Sequence, residues 1–204
     1  MTMYILIGGN HSSTPMSDAQ IARLCNTVIK KLNGENPRIV SVPFMLPRED
    51  WEWKFRDRRL PLFEQQFGKK FEAILAYPDT FRDDVKWANV IYIHGGDDVL
   101  LAHYLDKFKD LEGLFAEKIV VASSAGADYI SKIFWTCDWR AVMNGRGLVE
   151  VAVITHFDGE FGKDDPRGPV DWAAAKEELT AATNLPIYTI REGEFEIFEE
   201  GKRS

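Results

Sequence analysis

Short apolar runs rich in β-branched residues alternate with segments of helical period from one end of the chain to the other. That alternation predicts strands laid mostly parallel in one central sheet, with helices on both faces. Residues 3–9, MYILIGG, read as a strand closed by glycines. The helix after it is well marked: Ser17 is placed to cap its start, Ile21, Leu24, Cys25, Val28 and Leu32 fall on one face, and Gly34 closes it. A second strand is expected over 38–44. The segment 49–68 has helical period but carries Pro61, where an interruption is expected. Residues 71–77 read as a third strand, and 89–108 as a strand, a glycine turn and a helix capped by Asp97 or Asp98. Later strands are expected in 118–122 and 147–159, a helix in 172–182, and a strand, a turn at Gly193 and a short terminal strand over 187–201. The predicted fold is an α/β three-layer sandwich on a mostly parallel central sheet.

Composition narrows the function classes. With 204 residues the chain can bury roughly 70% of the surface its unfolded form exposes, so one domain over 1–204 is expected. A net charge of -7 repels phosphate backbones and anionic lipid, which argues against nucleic acid and membrane as partners. The N-terminal apolar stretch is short and has no basic flank, and no run approaches the roughly 18 apolar residues of a membrane span. A cytoplasmic protein is expected. Cys25 and Cys137 form no CxxC and no metal-ligand spacing, so they read as free packing thiols, and no metal is implied.

Two junctions carry candidate chemistry. In VVASSAGADYI, residues 120–130, a buried strand turns into a helix through small residues, with Ser124 at the bend. That is the grammar of a nucleophile elbow, although Ala122 stands where the pattern has its first glycine; a serine that merely caps the helix fits the stretch equally well. A serine nucleophile needs a base, most often a histidine held by a third group. Of the four histidines, His11, His94, His103 and His156, only His156 ends a later strand, and the carboxyl ends of parallel strands share one edge. For the acid, Glu192 precedes the Gly193 turn, while Asp158, two residues past His156, is a rival. The order Ser, His, acid is not that of an α/β-hydrolase. An oxyanion needs N–H donors: the HGGDD turn at 94–98 offers Gly95 and Gly96, and the elbow offers Ala125.

Taken together, residues 91–105, 120–130, 145–158 and 190–195 resemble, in order and spacing, the S51 peptidase family of dipeptidase E and cyanophycinase. The resemblance implies the class I glutamine amidotransferase-like sandwich and a serine peptidase that cleaves short peptides without a cofactor. Carried over, it implies Ser124 as nucleophile, His156 as base, Glu192 as its orienter, and Gly96 and Ala125 as oxyanion donors. The SAGA elbow at 124–127 is the most specific match. His94, Asp97 and Ala122 depart from the family pattern, and Trp172 stands near where dipeptidase E carries arginines suited to an aspartyl substrate. Substrate reading is therefore assigned to Trp172, Arg167 and Arg191. The alternatives are a cyanophycinase-like hydrolase and a catalytically silent member that binds a small ligand or a protein partner. A glutaminase is disfavoured, since that chemistry needs a cysteine at the elbow. The expected partner is a short peptide, and a homodimer is left open.

Overall fold

Alternate residues of the central strands face two different apolar clusters, so the sheet is covered on both sides. In β1 (Met3–Ile7) Met3, Ile5 and Ile7 enter one cluster, and Tyr4 and Leu6 the other. The first cluster is covered by α1 (Asp18–Lys31), through Leu24 and Val28, and by Phe63. Ser17 caps α1 by accepting the Gln20 N–H, as its sequence implies. The structure, a computed structural model, describes residues 1–9, 16–160, 165–199 and, by backbone alone, 202–203. His11 lies outside the described residues.

β2 (Arg38–Val42) leads to α2 (Trp51–Lys54), a π-helical stretch at Phe55–Arg59, and α3 (Leu60–Phe67), which holds Phe63. The expected break at Pro61 is absent. Proline lacks the N–H that an α-helix would use there, and the wider π turn, with Leu60 N–H reaching Phe55 O, lets the chain run on with Pro61 in the first turn of α3. β3 (Glu72–Leu75), α4 (Phe81–Trp87), β4 (Val90–Ile93), α5 (Asp98–Leu105), α6 (Leu111–Phe115) and β5 (Ile119–Ser123) follow. Helices α4 and α6 are additions to the sequence reading, each too short for a clear period.

After α7 (Ala125–Ile130) the chain departs from a single sheet. β6 (Ser131–Thr136), β7 (Ala141–Asn144), β8 (Val149–Ile154) and, beyond α8 (Trp172–Ala182), β9 (Ile187–Thr189) form a second sheet in the order β7-β6-β8-β9. Six residues of helix advance only about 9 Å, too little to carry the chain back along a strand of the first sheet. β6 therefore starts at once, beside α7. β10 (Phe195–Glu199) returns to the first sheet, antiparallel to β1, with β11 (Lys202–Arg203) beside it; the order is β11-β10-β1-β5-β4-β2-β3. The pairs β1–β5, β5–β4, β4–β2 and β2–β3 are parallel. The central sheet is thus mostly parallel and flanked by helices, as expected. Two corrections follow. The strand that ends at His156 belongs to the second sheet rather than the one central sheet expected, and β9 and β10, the strands expected on either side of Gly193, lie in different sheets.

Candidate active site

Ser124 sits between β5 and α7 at φ 52°, ψ -119°, a conformation that a residue with a side chain adopts only when its surroundings impose it. Here three features impose it. The Ser124 N–H extends the β1–β5 ladder to Ile7 O at 2.9 Å, and its carbonyl accepts the Asp128 N–H at 2.9 Å. Gly126 lets α7 close on β4, since a β-carbon there would lie 2.8 Å from Ile93 O. Gly95 faces the serine from the opposite turn, where a β-carbon would come within 2.9 Å of the Ser124 Cβ. The elbow reading, left even with simple capping, now has geometry: the Ser124 side chain makes no cap bond to α7.

Its hydroxyl reaches instead to His156 Nε2, at 2.7 Å. His156 also has positive φ, 55°, and its N–H donates to Gly8 O at 2.7 Å. The other ring nitrogen, Nδ1, lies 2.9 Å from Glu192 Oε1, and both side chains are buried, at 9% and 4% exposure. A carboxylate only accepts, so Nδ1 carries the proton and Nε2 is left to accept the Ser124 O–H. Glu192 occupies the link between β9 and β10, fixed by Gly193 (φ 74°), whose N–H donates to Gly9 O at 2.9 Å. Asp158, the rival acid, points elsewhere. It pairs with Arg191 at 2.8 Å on the surface.

Gly8 and Gly9, at the end of β1, were not singled out as site residues. They stitch together the histidine turn and the glutamate turn, and the signal for them was the pair of glycines that closes the first strand. Gly8 meets the Ile190 and Arg191 carbonyls where a β-carbon would be. Phe157 N–H to Ile190 O, at 3.2 Å, ties the same two segments again.

Of the proposed donors, Gly96 lies in the turn before α5 and Ala125 is the first residue of α7. Among the described residues neither N–H has a backbone acceptor. Asp97, where the resembled family has asparagine, caps α5 by accepting the Leu100 N–H at 2.8 Å. His94 turns away from the serine: buried between β2 and β4, it stacks on Tyr92 and meets Ser41 Oγ at 2.7 Å. Burial, with the Arg59 charge added, holds its pKa well below the ordinary histidine value, so it stays neutral. His103 is exposed beside Lys107.

The residues assigned to substrate reading are not brought together. Trp172 packs edge-on to Trp135 and Phe157 in the cluster under the second sheet, and its indole N–H donates to Gly159 O at 3.2 Å. Arg167 pairs with Asp165 at 2.6 Å and also donates to Asp138 O. Arg191 is held by Asp158. Cys25 and Cys137 are buried free thiols, and burial pushes Cys25 up to about 11. Among the described residues no group of His, Cys, Asp or Glu side chains is arranged to hold a metal ion, and no helix is long and apolar enough to cross a membrane.

Among solved structures the chain is similar to a 1.5 Å crystal structure described as a "Putative Peptidase E Protein from Listeria monocytogenes EGD-e". The match covers 100% of this chain and 97% of that one, with a TM-score of 0.67 and 14% identity. At that identity the likeness is one of fold. No family model and no curated protein matches the sequence.

Proposed function

We propose that the chain is a serine peptidase that hydrolyses short peptides through an acyl-enzyme on Ser124, with His156 as general base and Glu192 as its orienter. One observation carries the reading: Ser124 Oγ, His156 and Glu192 form a continuous hydrogen-bonded line of 2.7 and 2.9 Å, built from three separate segments and closed to water at its acid end. A capping serine or a structural histidine has no need of the other two groups.

The chemistry follows from the line. Ser124 Oγ attacks the scissile carbonyl carbon while its proton passes to His156 Nε2, and Glu192 stabilises the resulting imidazolium. The oxyanion forms between the N–H groups assigned to it, Gly96 and Ala125. The C–N bond then breaks as His156 returns the proton to the leaving amine, and water repeats the sequence to free the acyl group. Three departures from the resembled family leave this arrangement intact, because His94 is turned into the core, Asp97 keeps a capping role, and Ala122 packs fully buried in β5. The reading keeps the chain as one domain and asks for no cofactor.

Reaction with a fluorophosphonate probe, mapped by mass spectrometry, tests it. Labelling at Ser124, lost in His156→Ala, is the expected result. A chain that stays unlabelled while folded is a binder instead, and a dipeptide library assayed for free amine then identifies no substrate.

A further inference from the structure

On the face of the first sheet opposite α5 and α7, helices α1 and α3 leave a cavity of about 100 Å³ over the ends of β1, β4 and β5. Ile7, Ile21 and Leu62 give it apolar walls, and Gln66, Tyr92 and Ser123 bring polar groups to it. It has room for roughly three water molecules. Strand alternation sets it apart from the Ser124–His156 pair. Ser123 follows Val121 onto this face of β5, whereas the Ser124 side chain turns to His156.

The polar groups around this cavity are left unsatisfied. Gln66 is only 8% exposed, yet its Oε1 has no hydrogen-bond partner. Gln20 Oε1, on α1 beside Ile21, and Arg59 Nε are buried in the same condition. Arg59 shares one helix face with Leu62 and Gln66, and it closes the π-helical turn, a feature that recurs at functional sites. Arg59 and Gln66 both act on the Tyr92 phenol, which joins them across the cavity. Among the described residues no carboxylate offsets the Arg59 charge, and burial, with Arg58 nearby, pushes its pKa down. Buried polar groups without partners are costly, a cation most of all, and folded chains meet them with water, an ion or a ligand.

We propose that this cavity is a second binding site, which takes a short 2-hydroxy carboxylate with its carboxylate on Arg59 and its hydroxyl on Gln66. The site does not depend on the reading of Ser124 as nucleophile. Charge selects the carboxylate, because a guanidinium without a counter-ion pairs best with that planar anion, through two parallel N–H···O bonds. The orphaned Gln66 Oε1 selects the second group: it only accepts, so the ligand must bring a donor. A hydroxyl supplies one without charge, whereas an ammonium would lie near Arg59 with no carboxylate to offset it. Ile7, Ile21 and Leu62 suit a short alkyl end, and the volume excludes longer acids.

Lactate, propionate and alanine are titrated calorimetrically into the wild type, Arg59→Gln, Gln66→Leu and Leu62→Trp, with folding checked by circular dichroism. Lactate should bind the wild type at least tenfold more tightly than propionate. Arg59→Gln should weaken both acids at least tenfold, while Gln66→Leu should erase only the advantage of lactate. Leu62→Trp, which fills the cavity, should abolish binding. A wild type that takes up no lactate overturns the proposal, since the cavity then holds water alone. Lactate binding that survives Arg59→Gln or Leu62→Trp overturns it by placing the ligand elsewhere, the Ser124 cleft included. Alanine bound more tightly than lactate overturns it in favour of an amino acid.

Discussion

The imidazole of His156 lies against the backbone of Gly9 so closely that a β-carbon on that glycine would stand 2.6 Å from Nδ1, the atom that faces Glu192. Gly9 also has φ 128°, a region open chiefly to glycine. Gly9→Ala should therefore displace the ring, lowering kcat by at least a hundredfold and slowing fluorophosphonate labelling in proportion. A variant with unaltered labelling would show that the ring is not seated there.

Ser124→Ala should abolish hydrolysis, a loss that for such nucleophiles reaches about a million-fold in kcat. The thermal midpoint should barely move, since among the described residues the hydroxyl makes one hydrogen bond, to His156, and the turn should keep its geometry. Ser123→Ala is the control. Activity of Ser124→Ala within tenfold of wild type counts against the assignment.

Glu192→Gln and Asp158→Asn should separate sharply. The first replaces the acceptor-only carboxylate, which fixes the His156 tautomer and offsets the imidazolium charge, with a neutral amide that can also donate, a change worth roughly 10⁴ in kcat for a comparable orienter. The second breaks an exposed ion pair with Arg191, worth about 0–1 kcal/mol, and should leave kcat near wild type. Steady-state kinetics on one dipeptide decides it.

Asp98 links stability to pH in an unusual direction. Burial pushes its pKa up to about 6 in the folded chain, from 3.8. The stability it contributes is complete below that lower value and is lost as pH rises through about 6, because the folded state holds the proton longer than the unfolded one. Asp98→Asn, which keeps an acceptor for Thr136, should be more stable than wild type at pH 7.5 by roughly 3 kcal/mol, with the gap closing below about pH 4. Denaturant melts at the two pH values measure this, and an equal gap at both would contradict it.

Much of the fold was legible because strand and helix periods are local. The capped α1 and the β4–turn–α5 and β5–turn–α7 junctions stand where the pattern put them. What escaped was non-local. Nothing in 131–154 says which sheet its strands join; the six-residue length of α7 decides that. Ser124, His156 and Glu192 could be named from position at strand ends, but Asp158 remained a rival until its side chain was seen to face Arg191. Trp172 was read as a pocket wall from its place in the chain, yet its ring faces Trp135 and Phe157. Asp98 is one of two candidate caps for α5 in the sequence, a role that Asp97 takes, and Asp128 is not singled out there. Only the meeting of α5, α7 and β6 shuts them in together.

Ser124 comes from the first sheet, His156 from the end of a strand in the second, and Glu192 from the stretch of chain that passes between them. The contacts that join these parts span 32 and 36 residues, and Gly8 and Gly9 reach to them from the far N-terminal strand. The first sheet itself pairs β1 with β5 and β10, strands far apart along the chain, so the parts that carry the three side chains meet late, after local helices have formed. On refolding from denaturant, the far-ultraviolet signal should therefore recover before reactivity toward fluorophosphonate does. On the proposed reading, Ser124 becomes reactive only once both sheets have docked, so that no partly assembled form would cut peptides.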